Sequence, residues 1–220
     1  WIDRKIHEGG IVEHISETGD RVFTVKVGLP PNGRLSVETL EKIIEIADKY
    51  GLRVVRATRG MNLEFITDSL EKAKRIREEA ERLGLPAGGW GNALWHITSC
   101  TAFLTCTTAV VDAPSITKVL YDYLKPFFTG EEKLPAKLMI FVSGCPNVCG
   151  GTLAGDIVIV GHYGQAPRPD PERIKFCLPA SAEALKKATP DVAAVCPVNA
   201  IRVFGKPDGS VGIEVDERKC

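Results

Sequence analysis

Four cysteines in two short-spaced pairs constrain the fold of this chain more than any other feature of its sequence. Cys100 and Cys106 have five residues between them, and Cys145 and Cys149 have three. Four thiolates brought to one point are the ligand set of a [4Fe–4S] cluster, and soft sulfur ligands favour iron or zinc over hard cations. We therefore expect a fold in which the two segments meet.

The composition narrows the class of protein. Acidic and basic residues number 28 each, which argues against a nucleic-acid-binding protein. No apolar run approaches the roughly 18 residues of a membrane span, and no signal peptide opens the sequence. Seven cysteines, an odd number, argue against an oxidised secreted scaffold and favour a cytoplasmic protein with metal-bound thiolates. A start at Trp1 and an end at Cys220 lead us to expect a fragment.

Residues 1–88 have the pattern of a compact α+β half-domain with the order β-β-α-β-β-α. Apolar alternation predicts a strand from residue 11 that turns at 19–20, and further strands at 21–28, 52–58 and 62–66. Helical periodicity predicts one helix from the cap at Ser36 to Gly51 and another over 68–83. The Gly- and Pro-rich segment 84–91 marks a boundary.

The remainder contains the cysteines. The pattern predicts a helix over 115–125, a strand at 137–143 that is buried on both faces and leads into Gly144 and Cys145, and a second buried strand at 156–161. A short helix is predicted at 181–187. Two strands, 195–204 and 211–216, are predicted on either side of a turn at 207–209.

The cysteine spacing favours a cluster over zinc. Zinc sites usually place the cysteines of a pair two to four residues apart, and the five residues between Cys100 and Cys106 exceed this. Gly144, Gly150 and Gly151 would let a bulky group approach the backbone and leave amides free to donate to sulfur. A zinc site and four structural core cysteines remain as alternatives.

Cys-x5-Cys followed by Cys-x3-Cys resembles the sirohaem and [4Fe–4S] signature of the sulfite and nitrite reductases. Segments 18–28, 46–50, 62–65, 134–136 and 194–201 resemble the β subunit of dissimilatory sulfite reductase, whereas the Gly-Cys-Pro-Asn-x-Cys run is closer to the α subunit. The resemblance implies an α+β fold. It consists of a ferredoxin-like half-domain (1–88), a sirohaem and [4Fe–4S] domain (89–190) and the truncated start of an inserted ferredoxin domain (191–220).

The resemblance also implies ligands. Cys100, Cys106, Cys145 and Cys149 match the four ligands of the first [4Fe–4S] cluster, and Cys149 matches the thiolate that bridges to the sirohaem iron. Cys196 and Cys220 match two ligands of a second, ferredoxin-type [4Fe–4S] cluster, left incomplete here. Thr107, Thr108 and Gly150 are candidate contacts to the cofactors. Cys177 matches no motif position.

Sirohaem carboxylates and sulfite both require cations. Arg53, Arg56 and Arg59 are expected on one strand and its turn, with Arg53 and Arg56 near the cofactor and Arg56 and Arg59 near the substrate. A solvated basic strand is the alternative, and Arg59 fits the family pattern only with an offset of one residue. Lys137 matches a substrate-side lysine of the family, but Met139 stands where a second cation is usual.

The implied activity is the six-electron reduction of sulfite to the sulfide level by a dissimilatory β subunit, or the same reaction in reverse. The implied partners are an α subunit in an α2β2 assembly and a small sulfur-carrier protein. An assimilatory sulfite or nitrite reductase is the alternative enzyme, and a non-catalytic iron–sulfur or zinc module is the alternative from another class. His96 and His162 are more typical of satisfied or surface histidines.

Overall fold

The structure, a computed structural model, describes residues 1–149, 154–170, 172–173 and 193–220. It divides into two compact units, Trp1–His162 and Tyr163–Cys220. Gly150, Gly151, Cys177 and the helix predicted at 181–187 lie outside the described residues.

A five-stranded antiparallel sheet forms the first half of the first unit. Its spatial order is β1-β2-β3-β5-β4, and its strands are β1 (Asp3–Ile6), β2 (Ile11–Ile15), β3 (Arg21–Gly28), β4 (Val55–Ala57) and β5 (Asn62–Thr67). Helix α1 (Val37–Tyr50) follows β3, and helix α2 (Leu70–Arg82) follows β5. The predicted α+β half-domain is confirmed, with β1 as an added edge strand.

One face of this sheet is apolar and the other is polar. In β3 the side chains of Phe23, Val25 and Val27 belong to a buried cluster with apolar residues of α1 and α2. Lys26, at the intervening position, lies on the opposite face because successive side chains of a strand alternate. Serines cap both helices: Ser36 Oγ accepts the Thr39 N–H of α1, and Ser69 does the same for α2.

A three-stranded parallel sheet forms the second half of this unit. Its order is β6-β7-β8, from β6 (Leu94–Ser99), β7 (Leu138–Ser143) and β8 (Ile157–Val160). Helix α3 (Ala113–Thr129) connects β6 to β7, as a parallel pair requires. A second core, which includes Leu94, Ile140 and Phe128, lies between α3 and this sheet.

The second unit contains an antiparallel hairpin of β9 (Ile201–Gly205) and β10 (Val211–Val215). Lys206 N–H donates to Ser210 O at 2.7 Å, which closes the turn that the sequence predicts at 207–209. No helix of the described ranges is long and apolar enough to cross a membrane.

Three predicted elements were wrong in extent, and two strands, β1 and β6, were not predicted. The strand expected over 52–58 is only Val55–Ala57, because Arg53 has a φ of 59° and the chain bends there. Residues 195–200 form turns rather than a strand, with Asn199 at a φ of 51°. Helix α3 extends to Thr129 past an internal Pro126, and neither β1 nor β6 had a predicted counterpart. The strand predicted as buried at 156–161 is β8, and its side chains are mostly exposed, so the predicted burial was wrong.

Candidate functional site

Parallel pairing brings the two cysteine pairs to one edge of the second sheet. Cys100 directly follows β6, and Cys145 follows β7 after one glycine. Ser99 and Val142 are partners in the register, so both strands end at the same level. The predicted meeting of these segments is therefore observed at the carboxyl ends of β6 and β7.

Gly144 connects the two segments directly. Its N–H donates to Cys100 Sγ at 3.1 Å, and its carbonyl accepts the N–H groups of Val110 and Val111 at 2.7 and 3.2 Å. A Cβ on residue 144 would lie 3.1 Å from Val111 O and 3.2 Å from Ala102 Cβ. The packing therefore favours glycine here, and its amide donates to sulfur as backbone amides do around iron–sulfur clusters.

The Thr108 hydroxyl lies between the sulfur atoms of Cys106 and Cys145. Its Oγ1 lies 3.2 Å from Cys106 Sγ and 3.8 Å from Cys145 Sγ. The Thr108 hydroxyl, followed by backbone N–H groups, lowers the pKa of the Cys106 thiol. Cys145 itself is buried. The structure thus places Thr108 as a polar contact between Cys106 and Cys145. Thr107 is exposed, and its side chain makes no hydrogen bond within the described ranges.

Each cysteine pair encloses a strained backbone position. Ala102, between Cys100 and Cys106, has a φ of 42°, and Val148, next to Cys149, has a φ of 45°. Non-glycine residues rarely occupy this region, and a β-branched valine there is an outlier that costs on the order of 1–3 kcal/mol. Strain at such positions is typical of functional sites and accompanies the tight loops that hold both pairs at the sheet edge.

Cys149 is exposed, and its carbonyl accepts the Ser143 hydroxyl at 3.4 Å. Among the described residues, no group of three or more His, Cys, Asp or Glu side chains is close enough together to hold one metal ion. A cubane cluster spreads its four cysteines more widely than a single ion does. Converging thiols with hydrogen-bond donors to sulfur, around a partly exposed edge, fit a cluster ligand set.

The three arginines have different environments. Arg56 on β4 forms an ion pair with Glu64 of β5, whose side chain is 5% exposed. Arg53 lies before the strand and pairs with Asp48 at 2.9 Å, on the surface. Arg59 is exposed, without a hydrogen bond or ion pair in the described part of the chain. The expectation that all three share one strand and its turn was therefore wrong for Arg53.

Lys137 lies far from the cysteines. It precedes β7, whereas Cys145 follows it, and a six-residue strand spans roughly 20 Å. The Lys137 Nζ instead lies 5.1 Å from the centre of the Trp95 ring. The structure thus separates the predicted substrate lysine from the predicted cluster ligands by the length of β7.

A buried lysine near Lys137 was not anticipated. Lys26 is 4% exposed, and its Nζ lies 4.3 Å from the Trp90 ring centre and 4.9 Å from that of Trp95. Burial lowers its pKa to about 8, against an opposing effect of Glu64. The alternation of β3 predicts that Lys26 lies on the polar face of the first sheet. It does not predict that Trp95 of the second sheet and Trp90 of the segment before it cover that face.

In the second unit, Cys196 precedes β9 and Cys220 follows β10. Ile201 and Val215 are partners, so both cysteines flank the open end of one hairpin. Ala200 N–H donates to Cys196 Sγ at 3.3 Å, and this and neighbouring amides lower the pKa of the thiol. The arrangement suits two ligands of a common centre.

Comparisons with known proteins agree with these observations. Residues 90–209 match the family described as the nitrite and sulphite reductase 4Fe-4S domain, and residues 14–83 match the nitrite/sulfite reductase ferredoxin-like half domain. The dissimilatory-type sulfite reductase β subunit of Archaeoglobus fulgidus is 34% identical over 100% of this chain and 58% of its own length. That of Megalodesulfovibrio gigas is 31% identical over 98% of this chain and 82% of its own length.

A more distant match, the sulfite reductase [NADPH] hemoprotein β-component of Bacillus licheniformis, is 30% identical but covers 51% of this chain. The chain spans about half the length of the first curated relatives it matches, 58% and 46%. Among solved structures, a crystal structure of dissimilatory sulfite reductase I aligns with 99% of this chain and 54% of its own chain, with a TM-score of 0.75 and 18% identity. That likeness concerns the fold.

Proposed function

The chain belongs to the nitrite and sulphite reductase family, and we propose that it is part of a dissimilatory-type sulfite reductase β subunit. The observation that carries the proposal is the meeting of Cys100, Cys106 and Cys145 at the carboxyl ends of β6 and β7. Their spacing, with Cys149, is that of the cluster ligands in this family.

In this function the four cysteines would hold a [4Fe–4S] cluster, and Cys149 would be the cysteine shared with a sirohaem. The sirohaem and cluster together supply one-electron transfers and an iron site for the six-electron reduction of sulfite to the sulfide level, or its reverse. The exposure of Cys149, in contrast to buried Cys145, supports its place on the side from which a large group approaches.

The protein groups supply hydrogen bonds and charge. Gly144 N–H and the Thr108 hydroxyl donate to ligand sulfur and stabilise the thiolate forms. Two cations are available to anionic groups away from the cysteines. Arg56 lies on β4 of the first sheet, and Lys137 lies directly before β7 of the second sheet. Because Lys137 is a strand length from the cysteines, a substrate at this chain's own cysteine edge draws its cations from elsewhere in the assembly.

The need for cations from outside this chain supports the presence of a partner subunit. An α subunit, in an α2β2 assembly, would complete the sites, and a small sulfur-carrier protein would receive the product in the cytoplasm. Cys196 and Cys220 at the open end of the hairpin support a second [4Fe–4S] cluster that passes electrons onward. An assimilatory enzyme is less favoured, because the ferredoxin-type cysteines are a feature of the dissimilatory type.

The proposal is tested on the full-length protein purified with its partner subunit. We expect a sirohaem absorption spectrum, iron with acid-labile sulfide, and sulfite reduction with a reduced viologen dye as donor. A colourless protein that contains zinc would show a non-catalytic module instead.

A Cys149→Ser variant tests the bridge separately. We expect the electronic coupling between haem and cluster to disappear from Mössbauer spectra and sulfite reduction to be lost. Intact sulfite reduction in this variant would contradict the role assigned to Cys149.

A further inference from the structure

Helix α1 carries an exposed apolar row in addition to the face that packs in the first core. Val37, Leu40 and Ile44 are 72%, 43% and 60% exposed, and none of them belongs to that core. Their spacing of three and four residues places them in one row along the helix. A surface helix needs a single apolar face, directed at the core, so this row has no packing role within the described part of the chain.

A row of carboxylates runs beside the apolar row. Glu38, Glu41 and Glu45 each follow one of its members by one position, so they form a parallel row on the side away from the core. All three are exposed, and they make no ion pair or hydrogen bond with any residue that the structure describes. The surface of α1 thus combines apolar contact area with negative charge that has no counterpart in the described residues.

The segment after α1 extends the apolar row. Arg53 Nε donates to Asp48 Oδ1 at 2.9 Å, and Asp48 lies one turn beyond Ile44 on the same side of the helix. The chain bends at Arg53, where φ is 59°. Leu52 and Val54, on either side of Arg53, are both exposed. Exposed apolar side chains therefore continue past the carboxyl end of the helix.

The pattern of the row is that of a helix that packs on another helix. Val37, Leu40 and Ile44 have the spacing of positions a, d and a of a heptad, with β-branched residues at a and leucine at d. Glu41 then occupies the flanking position e, which selects partners by charge. The same spacing of three, four and seven residues is found where an amphipathic helix is recognised.

We propose that α1 is a docking surface for an amphipathic helix of a separate protein. That helix packs an apolar row on Val37, Leu40 and Ile44, and its Lys or Arg side chains lie against the row of glutamates. The proposal does not depend on the reduction of sulfite, because it uses no residue of the cysteine edge.

A second copy of this chain does not supply these cations. If two α1 helices packed antiparallel about a two-fold axis, the apolar rows would meet and each acidic row would face the other, which is repulsive. A parallel pair would place each acidic row beside the core-facing side of the other helix, where Ile43 and Ala47 are apolar. Charge complementarity therefore requires a basic helix.

The make-up of the surface favours a reversible contact over a permanent one. Permanent interfaces are large and mainly apolar, whereas three apolar side chains beside charged residues resemble a small interface with a polar rim. Unpaired surface charge accelerates the encounter with an oppositely charged partner and makes it sensitive to salt. We therefore expect an affinity that falls as ionic strength rises.

The test uses the full-length protein in its native oligomeric state. The probe is a fluorescein-labelled synthetic helix with a leucine row flanked by lysines, and the control peptide has glutamates in place of the lysines. Fluorescence anisotropy gives the Kd at low and at physiological salt. The variants are Ile44→Ser and Glu41→Gln combined with Glu45→Gln. Val119→Ser, at an exposed position of α3, is the matched control.

We expect Ile44→Ser to raise the Kd of the lysine peptide roughly ten- to a hundredfold, as loss of one buried aliphatic side chain implies. The double glutamine variant should raise the Kd at low salt and reduce its salt dependence, whereas Val119→Ser should match the wild type. Equal binding of both peptides, no binding of either, or an equal loss in Ile44→Ser and Val119→Ser would overturn the proposal. Light scattering measures the oligomeric state, and dissociation of the oligomer by Ile44→Ser would show a subunit contact instead.

Discussion

Burial of Lys26 predicts a specific pH dependence of stability. Its pKa falls from 10.5 to about 8 in the folded chain, mainly through burial. A lysine with a lowered folded-state pKa costs stability while it is charged. That cost is fully present below about pH 8 and disappears as pH rises from about 8 to 10.5, so the wild-type protein should gain stability over this window.

The size of the gain follows from the shift. Each unit of pKa shift corresponds to about 1.4 kcal/mol, so the lowering of the Lys26 pKa from 10.5 to about 8 corresponds to roughly 3 kcal/mol. Two aromatic faces at 4.3 and 4.9 Å favour the charged form by about 0.5–1 kcal/mol each. We therefore expect a net gain of about 2 kcal/mol between pH 8 and 10.5, relative to a variant that has no titrating group at this position.

The comparison is between the wild-type protein and Lys26→Met, with Lys42→Met as the exposed control. Pulse proteolysis in urea at several pH values from 7 to 10.5 gives the free energy of unfolding of each. The wild-type and Lys42→Met curves should rise together relative to Lys26→Met. Parallel curves for all three proteins would show that Lys26 is not buried in its charged form, and would refute the reasoning.

Three further predictions concern the site and the second core. Thr108→Val should lower the cluster iron retained on purification, whereas Thr108→Ser keeps the hydroxyl and should retain it; equal iron in both would argue against the hydrogen bonds to Cys106 and Cys145. Val148→Gly should raise the free energy of unfolding by about 1 kcal/mol, because glycine adopts a φ of 45° without strain; a loss of stability in urea titration would contradict this. Phe128→Ala should cost about 3–5 kcal/mol, since the ring is fully buried between α3 and Gly88–Gly89, and an unchanged melting temperature would contradict that packing.

Periodicity and caps predicted most of the first sheet and its helices. Ser36 caps α1 as expected, Ser69 caps α2, and the alternation of β3 is matched by the buried side chains of Val25 and Val27. The short β4 could not be predicted in this way, because Arg53 adopts a positive φ with no glycine to indicate it. Strand β6 was missed since its buried Leu94, Ile97 and Ser99 do not alternate regularly.

The cysteines were predictable as a group, and their surroundings were not. Spacing and glycines indicated that Cys100 and Cys145 meet, and parallel pairing of β6 with β7 brings them together. No local pattern reveals that Lys26 is buried, because the residues that cover it, Trp90 and Trp95, are more than sixty positions away. The position of Lys137 depends on strand direction, which periodicity does not report.

Strand β7 has a proposed functional residue at each of its ends, which gives it little tolerance to change. Lys137 precedes it and Cys145 follows it, so a slip of one residue against β6 would displace both by about 3.3 Å and exchange the faces of every residue between them. An insertion that suited one end would misplace the other. The length of β7 therefore fixes the spacing between Lys137 and Cys145.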